Sequence, residues 1–106
     1  MELNNIKDVK FYLQFYIGYY YSVKPEAMAE MKKDPFLQKS LFPHVELIES
    51  IIKGAPERLR QIYSCLYIKE LTQKQTSLEL GISTSCVQRL HKRLLEYILK
   101  ALNSKN

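Results

Sequence analysis

The sequence predicts an all-α bundle of about five or six helices, and three observations carry that expectation. Apolar residues recur at the i, i+3, i+4, i+7 spacing of a buried helix face along most of the chain. Glycine and proline are scarce, at 3 and 4 of 106 residues, which disfavours a turn-dense all-β fold. Those few punctuators also sit where helices begin and end, as at Asp34-Pro35, at Gly54-Ala55-Pro56 and at Gly81 ahead of Ser83. A chain of this length buries roughly two-thirds of its unfolded surface, enough for one core without metal or disulfide staples. It divides into an aromatic-rich helical part, residues 1–55, and a second part, residues 56–106, packed as one compact unit.

Residues 5–23 read as a first helix of unusual composition. Between Val9 and Val23 only Lys10, Gln14, Gly18 and Ser22 are neither apolar nor aromatic, and their four-residue spacing lines up one narrow polar stripe. A helix apolar nearly all round must be covered nearly all round. Two sources of cover are open: the tyrosines pack their rings internally and expose their hydroxyls, or a second copy of the chain makes a homodimer. Short helices punctuated by Pro25, Pro35 and Pro43 follow. Asp34 caps one that runs to about Leu41, and Pro43 opens another with Val45, Ile48 and Ile52 on one face, widened by Leu47 and Ile51. Lys53-Gly54-Ala55-Pro56 is the clearest boundary, with Gly54 suited to a C-cap and Pro56 to a helix start.

Beyond it, Leu59, Ile62, Tyr63 and Leu66 mark a buried face, and Leu71-Thr72 ends that helix. Thr72 caps a short helix over residues 73–80, which stops at Gly81. Ser83 caps a last helix, 83–102, with Val87, Leu90, Leu94 and Ile98 inward. A short capped helix, a glycine turn and a longer capped helix make a helix-turn-helix. Gly81 supplies the positive φ of the tight turn, and Ile82 plugs the angle between the helices. Outward on the second helix lie Thr84, Ser85, Gln88, Arg89 and Lys92. Hydroxyl, amide and guanidinium groups of this kind suit base edges and phosphates, with Gln pairing two-pronged to adenine and Arg to guanine. No acid occurs between Gly81 and Arg93.

The run Thr72-Gln73…Leu80-Gly81-Ile82-Ser83…Val87-Gln88-Arg89-Leu90-His91…Leu94-Leu95 resembles the fourth region of sigma factors, the part that reads the −35 promoter element. Pro56-Glu-Arg-Leu-Arg-Gln-Ile-Tyr resembles the helix that precedes that motif. Small phage late transcription regulators of the ArpU and RinA type share this C-terminal pattern. The resemblance spans about Pro56 to Leu102, under half of the chain. It implies base-facing positions for Thr84, Ser85, Gln88 and Arg89 on the helix that Ser83 starts, with Ser83 itself among the DNA-binding residues, and phosphate contacts from Thr72, Gln73 and Lys74 at the first helix's start. Lys92 and Arg93 read as phosphate contacts or solvated charges, and His91 as a surface or phosphate-near residue. The chain departs from the family pattern at Gln75, usually Glu, at Thr76, usually a buried aliphatic, and at Ser77, usually Ala. Two hydroxyls there loosen the packing unless they bond backbone carbonyls.

Charge distribution agrees with the resemblance. The net charge is +5, and all of it lies in residues 56–106, which carry nine Lys or Arg against four acids; residues 1–55 carry seven of each. That asymmetry points to a polyanion partner, nucleic acid before membrane. No signal-peptide pattern is present, and the apolar run from Val9 falls short of the roughly 20 residues that span a bilayer. Cys65 and Cys86 read as reduced thiols of a cytoplasmic protein, and His44 and His91 lack neighbours at metal-ligand spacing, so neither metal nor cofactor is expected. No phosphate-cradling glycine loop, paired acids or activated nucleophile suggests an enzyme.

The expected function is sequence-specific binding of double-stranded DNA as a small transcriptional regulator of phage or mobile-element type. The alternative is a protein-interaction module that mimics a sigma region and docks on RNA polymerase or a sigma factor. Tyr12, Tyr16, Tyr19, Tyr20 and Tyr21 fit packing better than base stacking, since they lie in the neutral half.

Overall fold

The computed structural model describes residues 3–104. Six helices and no strand occur among them. Helix α1 spans residues 6–22, with Asn5 as its cap, accepting the Asp8 N–H on Oδ1 at 3.1 Å. Helix α2 is Pro25–Met31. Helix α3 has two arms, Pro35–Ser40 and Phe42–Lys53, bent at Leu41. Helix α4 covers residues 57–68, α5 is Gln73–Leu80 and α6 is Thr84–Ser104. All-α architecture therefore stands as the sequence predicts.

The boundaries follow local chemistry. Asp34 accepts the Phe36 N–H at 2.9 Å, and Pro35 occupies the first turn, where a missing N–H costs nothing. Pro43 plays the same part in the second arm. Gly54 closes that arm at φ −90°, so its role there is not a left-handed one. Pro56 stands one place earlier than a first helical residue, as the extended N-cap of α4.

Helix α4 differs most from expectation at its far end. It stops at Ile68 rather than at Leu71-Thr72. Its last turns widen into π-helix over Ser64–Ile68, and Glu70 then takes a left-handed φ of 55°. The Leu71 N–H donates back to the Cys65 carbonyl at 2.9 Å, which ends the helix without a glycine. A matching π-helical segment, Leu13–Gly18, lies within α1, and the two wide segments pack against each other.

Helix α6 is the spine. Helices α1, α4, α5 and the second arm of α3 all pack on it. Val87, Leu94 and Ile98 are fully buried there, together with Val9, Leu13 and Ile17 of α1, Ile48 of α3 and Ile62 of α4. One core thus draws on both halves of the chain.

The expectation that α1 is covered nearly all round is not met by the chain itself. Phe11, Phe15 and Tyr19 form an i, i+4, i+8 stripe exposed by 70, 59 and 52%, and Phe36 of α3 is exposed by 73%. The molecule measures 43 × 34 × 21 Å, and its shortest dimension is about two helix diameters. With two layers available, α1 gains cover on one side only. Tyr12 is buried, with its hydroxyl 2.6 Å from His44 Nδ1, and Tyr16 stacks on the same imidazole.

Candidate nucleic-acid interface

The turn between α5 and α6 is built almost wholly by short polar side chains. Thr72 and Gln75 form a reciprocal capping box: the Gln75 N–H donates to Thr72 Oγ1 at 3.1 Å, and the Thr72 N–H donates to Gln75 Oε1 at 2.9 Å. Glutamine closes the box as glutamate would, without placing a negative charge at the start of the helix. Gly81 adopts φ 67°, ψ 34°, and no atom lies within 4 Å of where a Cβ would stand. The glycine is needed for its dihedral angle and not for space.

Ser77 is one of the two hydroxyl residues inside the turn, and it is fully engaged. Its hydroxyl donates to the Ile82 carbonyl at 2.6 Å while the Ile82 N–H donates to the Ser77 carbonyl at 3.1 Å, so the residue staples both sides of the turn. Ile82 packs against the core, as a plug should. Ser83 then caps α6, its Oγ accepting the Cys86 N–H at 3.1 Å.

Thr76 carries the other hydroxyl, and it is fully buried with no hydrogen-bond partner for that group. A buried hydroxyl left unpaired costs about 1–3 kcal/mol. Thr76→Val removes that cost while keeping the shape, so it should raise the unfolding free energy by roughly 1–2 kcal/mol. Urea denaturation checks this; an equal or lower stability would mean that the hydroxyl finds a partner.

The remaining predicted residues fall on one side of α6 and at the start of α5. Thr84, Ser85, Gln88, Arg89, Lys92 and Arg93 are exposed, as are Thr72, Lys74 and Ser83, while Gln73 is half-buried. Gln88 Nε2 donates to Gln73 Oε1 at 3.2 Å, which links the start of α5 directly to the outward face of α6. Among the described residues the single ion pair is Lys69–Glu79, so Arg89 has no partner in Glu96 or in any other acid. Glu79 is the one acid of α5, and it is turned to α4: Lys69 Nζ lies 3.2 Å from one carboxylate oxygen and Cys65 Sγ donates to the other at 3.3 Å. The Cys65 and Lys69 hydrogen bonds hold the Glu79 carboxyl below its ordinary range, and burial foremost pushes the Cys65 thiol up.

His91 is less exposed than a surface residue and lines the groove that also holds Lys7, Lys10 and Lys92. It is half-buried, with Nε2 2.5 Å from the Tyr67 hydroxyl, and joins α6 to α4. Burial, then the nearby Lys10 charge, lowers its pKa from the ordinary imidazole value; His44 is lowered too, again chiefly by burial. Both imidazoles are thus held neutral in the folded chain and take up protons more readily once unfolded. Their contribution to stability is complete above the ordinary imidazole pKa of about 6.5 and is lost as pH falls below it. The thermal midpoint should therefore drop between pH 7 and pH 5, before ordinary carboxylates titrate. A flat profile over that range would contradict the two half-buried His–Tyr pairs.

Two further basic side chains reach this face through tertiary packing alone. Lys7 and Lys10 of α1 line a shallow groove with Gln88 and Lys92 of α6. Lys10 belongs to the polar stripe legible in the sequence, but its position beside α6 depends on how α1 packs. Among the described residues no helix is long and apolar enough to cross a membrane, and no cluster of His, Cys, Asp or Glu could hold a metal ion. No family model, curated protein or solved structure matches the chain.

Proposed function

We propose that the chain is a sequence-specific double-stranded DNA-binding regulator of transcription, non-enzymatic and of phage or mobile-element type, which inserts the start of α6 into the major groove. The observation that carries this reading is the α5–α6 unit. A left-handed glycine, a stapled turn and two capped helix starts present Thr84, Ser85, Gln88 and Arg89 outward, with Arg89 in no ion pair among the described residues. Gln88 and Arg89 read base edges. Thr72, Gln73 and Lys74 meet phosphate at the positive end of α5, and Lys92 and Arg93 meet it further along α6. Chemical footprinting tests the geometry. Guanine N7 atoms, which face the major groove, become protected from methylation in the complex, whereas protection confined to adenine N3 would place the protein in the minor groove and sink the proposal.

A single motif of this size makes few contacts, so the regulator works as a homodimer. The exposed Phe11–Phe15–Tyr19 stripe with Phe36 is the surface that a second copy covers. Two recognition helices then stand about 34 Å apart, one turn of DNA. Sedimentation equilibrium of the full chain distinguishes this from the second reading, which the same stripe favours: a monomer whose aromatic face docks on RNA polymerase or a sigma factor.

A further inference from the structure

The groove between α1 and α6 extends the DNA interface beyond the helix-turn-helix. Resting on the DNA-binding reading above, we infer that Lys7 and Lys10 of α1 form a second phosphate clamp, gripping the DNA backbone across the major groove from the strand that α5 engages.

Three observations lead there. First, α1 and α5 each pack against α6 and make no comparable contact with each other, so they flank the recognition helix on different sides. A helix lying in the major groove is bordered by two phosphate backbones, and the groove is about 12 Å wide. With Lys74 at the start of α5 directed to one border, the element on the other flank meets the second. Second, the groove holds Gln88 and Lys92 of α6 together with Lys7 and Lys10 of α1. Gln88 and Lys92 are one turn apart on α6, as Lys7 and Lys10 are on α1, so both pairs face into one channel. A base edge that reaches Gln88 brings its flanking phosphates within the span of the α1 lysines. Third, the channel has no acid in its lining, and all three lysines are exposed and outside any ion pair among the described residues. Asp8, the acid of the same turn, is engaged by the Asn4 N–H at 2.9 Å.

Charge counting along the chain conceals this site. Residues 1–55 are neutral as a whole, yet the two lysines at the start of α1 are folded against the basic half. The contact is to phosphate and not to bases, so it strengthens binding without choosing a sequence.

The test compares the full chain with the double variant Lys7→Gln/Lys10→Gln and with a charge-matched control, Lys33→Gln/Lys39→Gln, outside the groove. Each is titrated over a salt series against the duplex enriched by selection and against a random-sequence duplex. Loss of two phosphate contacts should flatten the slope of log affinity against log salt by about two and weaken binding on the order of tenfold at 0.1 M salt. Both duplexes should lose equally, leaving the preference between them intact. The four side chains are exposed, and thermal melting of each variant verifies the fold. An unchanged slope, or a change no larger than the control's, overturns the clamp while leaving the DNA-binding reading in place. If the unsubstituted chain selects no duplex at all, the DNA-binding reading fails and the clamp falls with it.

Discussion

Replacing Arg89 by alanine is expected to cost about 1–3 kcal/mol of discrimination, roughly a 5- to 150-fold loss of preference at the base pair it reads. The side chain is exposed on α6, one residue past Gln88, and no acid among the described residues neutralises it. In the proposed complex the guanidinium donates two parallel hydrogen bonds to guanine O6 and N7, and alanine offers none. Lys74→Ala supplies the contrast. In the proposed complex its ammonium meets phosphate only, so the substitution should weaken all duplexes alike and flatten the salt slope by about one. Competition titrations with single-base-pair variants of the preferred site separate the two outcomes. Equal weakening on every sequence by Arg89→Ala would make that residue a phosphate contact as well.

The largest effect on the fold itself is expected from Leu94→Ala. Leu94 is fully buried on α6, the helix against which α1, α4, α5 and the second arm of α3 pack. Truncating a leucine at such a site removes its transfer free energy and leaves a cavity that several helices must close, a cost of about 2–5 kcal/mol. Small domains hold about 5–15 kcal/mol in all, so a large share of the stability goes with one side chain. Urea denaturation with an unchanged slope measures it. A loss under about 1 kcal/mol would mean that α6 is not the spine. The folded fraction should keep the same DNA preference, because Leu94 faces away from the outward residues.

The parts of this architecture that were legible in the sequence are those fixed by local chemistry. Asp34-Pro35, Thr72, Gly81 and Ser83 each act within a few residues of themselves, and each stands at a helix end. The inward faces of α3, α4 and α6 follow from apolar spacing for the same reason. What escaped depends on distant partners. The left-handed turn that ends α4 uses Glu70, a residue with no preference for that conformation, and the wide turns of α1 and α4 have no sequence mark. Nothing near His91 foretells Tyr67, 24 residues away.

The aromatic helix shows the limit most plainly. Spacing separates the polar stripe of α1 from the rest but does not rank the rest, and Phe11, Phe15 and Tyr19 are exposed while Tyr12, Leu13 and Ile17 are buried. Thr76 is a different case. Its burial is legible from its place in the motif, but whether its hydroxyl is paired depends on neighbours that only the folded chain brings together.

The most direct test of the central claim is selection from a pool of randomised duplexes with the purified full chain, repeated with Arg89→Ala. Sequence-specific reading by α6 predicts an enriched motif, repeated as a palindrome about one helical turn apart if two copies bind, with the preference relaxed at a defined base pair in the variant. Uniform, salt-sensitive recovery of all sequences, identical for both proteins, would contradict it and turn attention to a protein partner for the aromatic stripe.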